Sequence, residues 1–308
     1  MHSVGRVDWG FAATPGATSS SSSGLGRSVL VSPATGSAHT ELAVGALAPG
    51  GWLARHVHSF EEALYVLEGT LVFESDGHVH ELVAGDYALN PIGQPHTLAA
   101  TPTEAVRWLS VNTPPRRAPD AAVPDTIFAG VPPDLEALRA VAMPLEAASP
   151  TRRFVGHYAG TPPQVEALAL ADPARGRAPA GMDTALLAYS GISVKMLVDR
   201  PFGAEHLTMF TVDYEVGGAA QAHDHPFEEA YYFLAGTVQA ELDGVAYTFG
   251  PGDVAFAGVG SVHGFWNDGP DRVRWIETQA PQPPGRNAYR WQSPWAALAE
   301  RGVPSWPG

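Results

Sequence analysis

The chain has 308 residues, room for about two domains, each able to bury a sizeable core. Its 18 basic residues are outnumbered by 32 acidic ones, a formal charge of −14. That balance excludes a general nucleic-acid or anionic-membrane surface, because phosphate contact needs clustered Lys and Arg. Cysteine is absent, which excludes disulfides, thiolate metal ligands and a cysteine nucleophile.

No run reaches the about 20 apolar residues of a membrane span, and residues 1–27 lack the basic start and apolar core of a secretory signal. No membrane partner and a cytoplasmic location are therefore expected. Residues 11–27, with the run Ser19 to Ser23, are rich in Ser, Gly, Ala and Thr. Such a composition buries too little apolar area to offset its ordering entropy, so 1–27 is expected to be a mobile arm that orders against a partner subunit. From 28 to 114 the text changes to short alternating segments broken by Gly, Pro, Asn and Asp. Glu41 to Ala48, Leu64 to Leu67, Thr70 to Glu74, Val79 to Leu82, Asp86 to Leu89, His96 to Ala99 and Val106 to Val111 read as strands. Asp76-Gly77 is a hairpin signal between two of them. So many short strands predict an all-β, closed or sandwiched architecture. Residues 115–185 read as a linker with a helical start over Pro132 to Ala142 and an irregular stretch over Ala169 to Met182. Strand character returns from Leu186 to Val198 and leads into a second β domain over 186–281. The tail 282–308 carries prolines and Trp291, Trp295 and Trp306 around a short helix near Pro294 to Arg301, and its aromatics predict packing on a barrel or a neighbouring subunit, hence a homo-oligomer, a dimer or higher.

The chemistry is concentrated in His223, His225, Glu229 and His263. Two histidines one residue apart on a strand present both imidazoles on one face; Glu229 returns to that face, and His263 is the candidate fourth ligand of a metal ion. The pattern occurs twice: His56, His58, Glu62 and His96 each stand 167 residues ahead of their counterparts. The same interval relates Gly50 to Gly217, Gly69-Thr70 to Gly236-Thr237, Asp76-Gly77 to Asp243-Gly244, Gly85-Asp86 to Gly252-Asp253 and Val106-Arg107-Trp108 to Val273-Arg274-Trp275. Two like domains follow. Three neutral imidazoles and a carboxylate suit Mn, Fe or Ni, and also Co, Cu or Zn, with open positions for a substrate or dioxygen.

Written out, Gly50, five residues, His56, one, His58, three, Glu62, six, Gly69, and then Gly85, five, Pro91, one, Gly93, two, His96 resembles both motifs of the cupin superfamily, with Ala100 where that pattern usually has Asn. The second copy, from Gly217 to Asn267, departs in having Gly258 at the Pro position. The resemblance implies a bicupin: tandem double-stranded β-helix (jelly-roll) barrels, each holding one divalent transition metal through three His and one Glu.

Strand parity then compares the two centres, since residues two away from a ligand share its face. In the first these are Ala54, Leu64, Val66, Leu98 and Ala100; in the second, Gln221, Tyr231, Phe233, Phe265 and Asn267. The richer second set makes the C-terminal centre the expected catalytic one, with Glu229, Tyr231 and Gln221 as catalytic groups and Phe233, Phe265 and Asn267 as the substrate pocket. The resemblance to the quercetin and diketone dioxygenases of the superfamily implies oxidation or cleavage of a small chelating enol, diketone or aromatic hydroxyl substrate by dioxygen, with Glu229 able to act as base. Alternatives are a metal-assisted aminohydrolase, because the layout resembles ureidoglycine aminohydrolase, whose second site has Glu and Gln where His223 and His263 stand here, and a decarboxylase or isomerase of the bicupin class. Oxalate decarboxylase also has two complete sites, but an Arg stands there at the positions of Leu53 and Ala220. A non-catalytic storage or sugar-binding bicupin usually lacks complete ligand sets.

Overall fold

The structure is a computed structural model and describes residues 1–11, 20–117, 123–145, 154–168, 189–284 and 289–292. It divides into two units, one built on the described residues of Val7–Ala159 and Leu197–Leu207, the other on those of Met1–Arg6, Gly160–Met196 and Thr208–Gly308. Each is a curled, largely antiparallel sheet of the jelly-roll kind, as the spacing of short strands predicts.

In the first unit a long strand, Glu41–His58, is the spine. It pairs with Val106–Thr113 through its first half and with His96–Ala100 through its second. The path continues from Val106–Thr113 to Glu61–Glu68 and Asp86–Asn90, and from His96–Ala100 to Leu71–Ser75 and His78–Leu82. The inward faces bury Leu47, Leu64, Leu71, Phe73, Leu98 and Trp108. The second unit repeats this with Thr208–Asp224 as spine, paired with Val273–Ala280 and His263–Trp266, around a core with Phe210, Tyr231, Phe233, Phe265 and Trp275.

The Asp-Gly signals become two-residue hairpins, with Ser75 opposite His78 and Leu242 opposite Val245. All four turn residues have positive φ, at 51° and 75° in Asp76-Gly77 and 48° and 81° in Asp243-Gly244. A turn positive at both central positions twists with the strands it joins.

The expected mobile arm over 1–27 is strand at both ends. His2–Arg6 pairs with Asp253–Ala257, and Ser22–Val31 pairs with Glu41–His58; residues 12–19 lie outside the described residues. In the described parts, pairing at a sheet edge uses backbone groups and so does not depend on side-chain composition. The pairing also explains the Gly at the Pro position of the second copy: Gly258 N–H donates to the Met1 carbonyl at 2.9 Å, a bond proline lacks the hydrogen to make.

The linker helix is Leu135–Val141, started by the Asp134 side chain accepting from the Ala137 N–H at 2.9 Å; a second short helix spans Pro162–Glu166. The strand expected from Leu186 is described as Tyr189–Val198. The irregular stretch at 169–182, the tail helix near 294–301, and Trp295 and Trp306 lie outside the described residues. Among the described residues, no helix is long and apolar enough to cross a membrane.

Candidate metal centres

In the second unit His223 is the last residue but one of the spine strand, His225 follows the strand, Glu229 lies on Glu228–Ala235 and His263 opens His263–Trp266. All four are buried, and one ligand atom from each lies within 4.8 Å of the others. The tautomers are set by the backbone: Nδ1 of His223, His225 and His263 faces the carbonyls of Gln221, Phe227 and Ser261 at 2.7, 2.8 and 2.9 Å. Nδ1 therefore donates, leaving the Nε2 lone pairs to point at a shared centre. The Gly260 N–H, bonded to the His225 carbonyl at 3.0 Å, ties the loop before His263 to the His225 segment.

Glu229 Oε2 lies 2.9 Å from His225 Nε2 and 3.0 Å from His263 Nε2, and accepts from the Tyr231 hydroxyl. Its other oxygen accepts from Gln279 Nε2 at 2.8 Å. Burial alone would raise the Glu229 pKa, but His225 and His263 outweigh it and hold the carboxyl well below its usual range. Burial, then the neighbouring His263, keeps His223 well below the usual imidazole value; burial also lowers His225, but Glu229 outweighs it and raises the net value.

The first unit builds the same frame. Nδ1 of His56, His58 and His96 faces the carbonyls of Ala54, Phe60 and Gln94 at 2.8, 2.6 and 2.9 Å. The three Nε2 atoms converge, and burial, then His96, push His56 down to about 3. Glu62 faces them but stands outside the tight group, 3.5 Å from Nε2 of both His58 and His96. Asn90 Nδ2 at 3.1 Å and the Ser110 hydroxyl at 2.8 Å hold its carboxylate. The second copy has Ala257 and Glu277 at these positions.

These donor sets fit a metal ion. Nε2 of His58, His96, His225 and His263 is buried without a hydrogen-bond partner, an arrangement that costs free energy unless something accepts the lone pairs. Two groups that could hold an ion are thus present, in both places the repeat predicts.

The parity reading holds at one end of each set and fails at the other. Tyr231 and Phe265 line the cavity beside His223, Glu229 and His263. Phe233 sits behind them, fully buried and stacked on Phe249 at 4.8 Å. Gln221 is turned away and borders a different depression, beside Glu241 and Trp266, while Ala220 lines the cavity. The reason is a bulge: Ala220 pairs with Phe265 and His223 with His263, so three steps on the spine oppose two on its partner. The extra residue inverts the alternation. The first unit has the same bulge between Leu53 and His56, and there Leu53 lines the cavity while Ala54 is buried with Trp52, Val72 and Ala99. Asn267 lies beyond the strand and is used structurally: its amide donates to the carbonyls of Tyr214, Glu215 and Asp271 at 3.3, 3.0 and 2.8 Å.

Several site residues escaped the sequence reading. Tyr189 brings its hydroxyl to 3.3 Å from His223 Nε2. Glu277 lines the same cavity, where burial and then the Glu229 carboxylate push it well above the usual carboxylate range. Trp291, on the short strand Arg290–Trp291 paired to His223–Asp224, packs its ring tilted against that of His223, with centroids 4.8 Å apart. Thr126–Phe128 pairs to the first spine in the same way and places Phe128 5.1 Å from His56. Comparison of the copies was the signal for Glu277 and Gln279, which replace Ser110 and Asn112; the two covering strands have no shared sequence offset to find.

Residues 43–112 and 210–278 each match the cupin domain family. No curated protein sequence matches the chain. Among solved structures, oxalate decarboxylase from Bacillus subtilis at pH 4.6 superposes with a TM-score of 0.55 at 18% identity, covering 91% of this chain and 77% of that one. A Lactobacillus farciminis oxalate decarboxylase in complex with formate gives 0.55 at 20% over 89% and 85%. A point mutant of salicylate 1,2-dioxygenase from Pseudoaminobacter salicylatoxidans gives 0.60 at 15% over 82% and 75%. At these identities the likeness is one of fold. With one cupin domain over each repeat and a histidine-lined centre in each, the chain is a bicupin.

Proposed function

We propose that this bicupin is a metal-dependent dioxygenase, oxidising or cleaving a small enol, diketone or aromatic-hydroxyl substrate at its C-terminal centre. The observation that carries the reading is the network around Glu229: one carboxylate facing two imidazoles, with Tyr231 on one oxygen and Gln279 on the other. An ion held by His223, His225, Glu229 and His263, with manganese, iron or nickel favoured, would supply Lewis-acid and redox chemistry for a chelating substrate and dioxygen.

The chain's own groups supply the rest. Glu229 is the carboxylate positioned to take the proton of a substrate hydroxyl, and Tyr231 and Gln279 hold it in orientation. The Tyr189 hydroxyl, beside His223 Nε2, is placed to donate to a substrate oxygen. Phe265 and Trp275 form apolar wall, and the Trp291 ring packs tilted against His223.

The test is metal analysis of protein purified without added ions, then oxygen-electrode assays with flavonols and diketones. Oxygen uptake is expected, and H223A is expected to abolish it, with a drop of about 100-fold for E229Q on the scale of general-base loss. Ammonia release from ureidoglycine, or carbon dioxide release from a small acid, without oxygen uptake, would reassign the chain to a hydrolase or decarboxylase. An equal loss in H56A and H223A would remove the preference for the C-terminal centre.

A further inference from the structure

The two centres differ most in the charge and room around them. The cavity at His223 is about 20 Å³, whereas the one at His56, His58 and Glu62 is about 100 Å³. Two guanidinium groups, Arg27 and Arg116, line the larger cavity. The positions 167 residues on are Val194 and Pro283, and Val194 lines the smaller cavity where Arg27 lines the larger. The cationic wall therefore belongs to the N-terminal centre and is no part of the repeat.

Arg27 sits opposite Gly45 on the strand Ser22–Val31 and pairs with Glu41, which also accepts from Asn112 Nδ2 at 3.0 Å. Arg116 has the Phe60 ring 5.8 Å away and no carboxylate partner among the described residues. The two cations feel each other: burial is the largest influence lowering the Arg27 pKa, Glu41 opposes it, and Arg116 adds to the lowering. Glu41 balances Arg27, which leaves Arg116 as the unmatched charge of this wall among the described residues. The carboxylates at hand, Glu41 and Glu62, are already engaged by Arg27 and Asn112, and by Ser110 and Asn90.

We propose that the N-terminal centre binds a small organic carboxylate, its charged end on Arg116 and Arg27 and its carbon skeleton on the apolar wall of Leu53, Leu98 and Phe128. A planar guanidinium fork matches a carboxylate in a bidentate pair, and the apolar remainder of the wall suits a carbon skeleton better than an inorganic anion. An oxygen donor next to the carboxylate would face the His56, His58 and His96 Nε2 atoms across the same cavity. The proposal shares with the dioxygenase reading only that the centres are metal-loaded.

Isothermal titration calorimetry of the manganese-loaded full chain tests it, with glycolate, its uncharged analogue glycolamide, and inorganic phosphate as probes. Because the readout is binding and not turnover, its failure is distinguishable from failure of the dioxygenase reading. Glycolate is expected to bind once per chain, at least about tenfold more tightly than glycolamide, the scale of a charged hydrogen-bonded pair, and more tightly than phosphate. R116Q is expected to weaken glycolate by about tenfold, with R116K between it and the parent, since lysine keeps the charge and loses the fork. Arg116 is partly exposed and makes no ion pair among the described residues, so these variants are expected to fold; circular dichroism checks that. Equal binding of glycolate and glycolamide, phosphate binding more tightly than glycolate, unchanged binding in R116Q, or binding lost in H223A but kept in R116Q would each overturn the proposal.

Discussion

Tyr231 donates to the same Glu229 oxygen that faces His225 and His263. A group that orients a ligand in this way typically governs affinity by 10- to 100-fold. Y231F is therefore expected to keep its fold and lose about tenfold in affinity for the C-terminal ion, measured by chelator competition. Gln221, on the far side of the bulge, gives the control: Q221A is expected to leave ion affinity and turnover unchanged. His56 carries a pH effect. In the metal-free chain its pKa is about 3 when folded against 6.5 as a free group, so below 6.5 the unfolded chain takes up a proton that the folded chain refuses. Stability is present above 6.5 and falls as pH drops toward 3. Urea unfolding of metal-free protein at stepped pH is expected to show that fall, and H56Q to flatten its slope by up to one proton.

At the scale of elements, the bulges and turns decide where side chains point. Gly236 has a φ of 73°, and a Cβ there would meet the Arg272 carbonyl at 2.5 Å; Gly244, at 81°, would meet nothing within 4 Å. Both positions disfavour an L side chain, but only Gly236 adds a backbone clash. G244A is expected to cost about 1 kcal/mol and G236A about 3 kcal/mol, compared by urea unfolding. Gly236 repeats Gly69, which faces the Ala105 carbonyl in the same way, so G69A is expected to match it.

Across the whole molecule, the repeat places one centre in each unit, and among the described residues the two ligand groups have no member in common. The expected stoichiometry is two ions per chain, falling to one in H56A and to one in H223A, read by elemental analysis after dialysis. Chelation is expected to lower the melting temperature of both units, since an ion that binds only folded protein stabilises it by mass action.

What the sequence determined by itself was everything expressed as spacing. The interval of 167 residues, the two His-x-His pairs with their Glu and distant His, and the Asp-Gly hairpins are local patterns whose backbone meaning does not depend on distant contacts. What only the tertiary structure decided was which residues surround each centre. The period-two rule holds along an unbroken ladder, and one extra residue before His223 moved Gln221 out of the cavity and Ala220 in. Arg27, Phe128, Tyr189 and Trp291 reach the centres on strands whose place is set by pairing across the sheet. Such pairing joins residues far apart in the chain, and no local pattern around them records it.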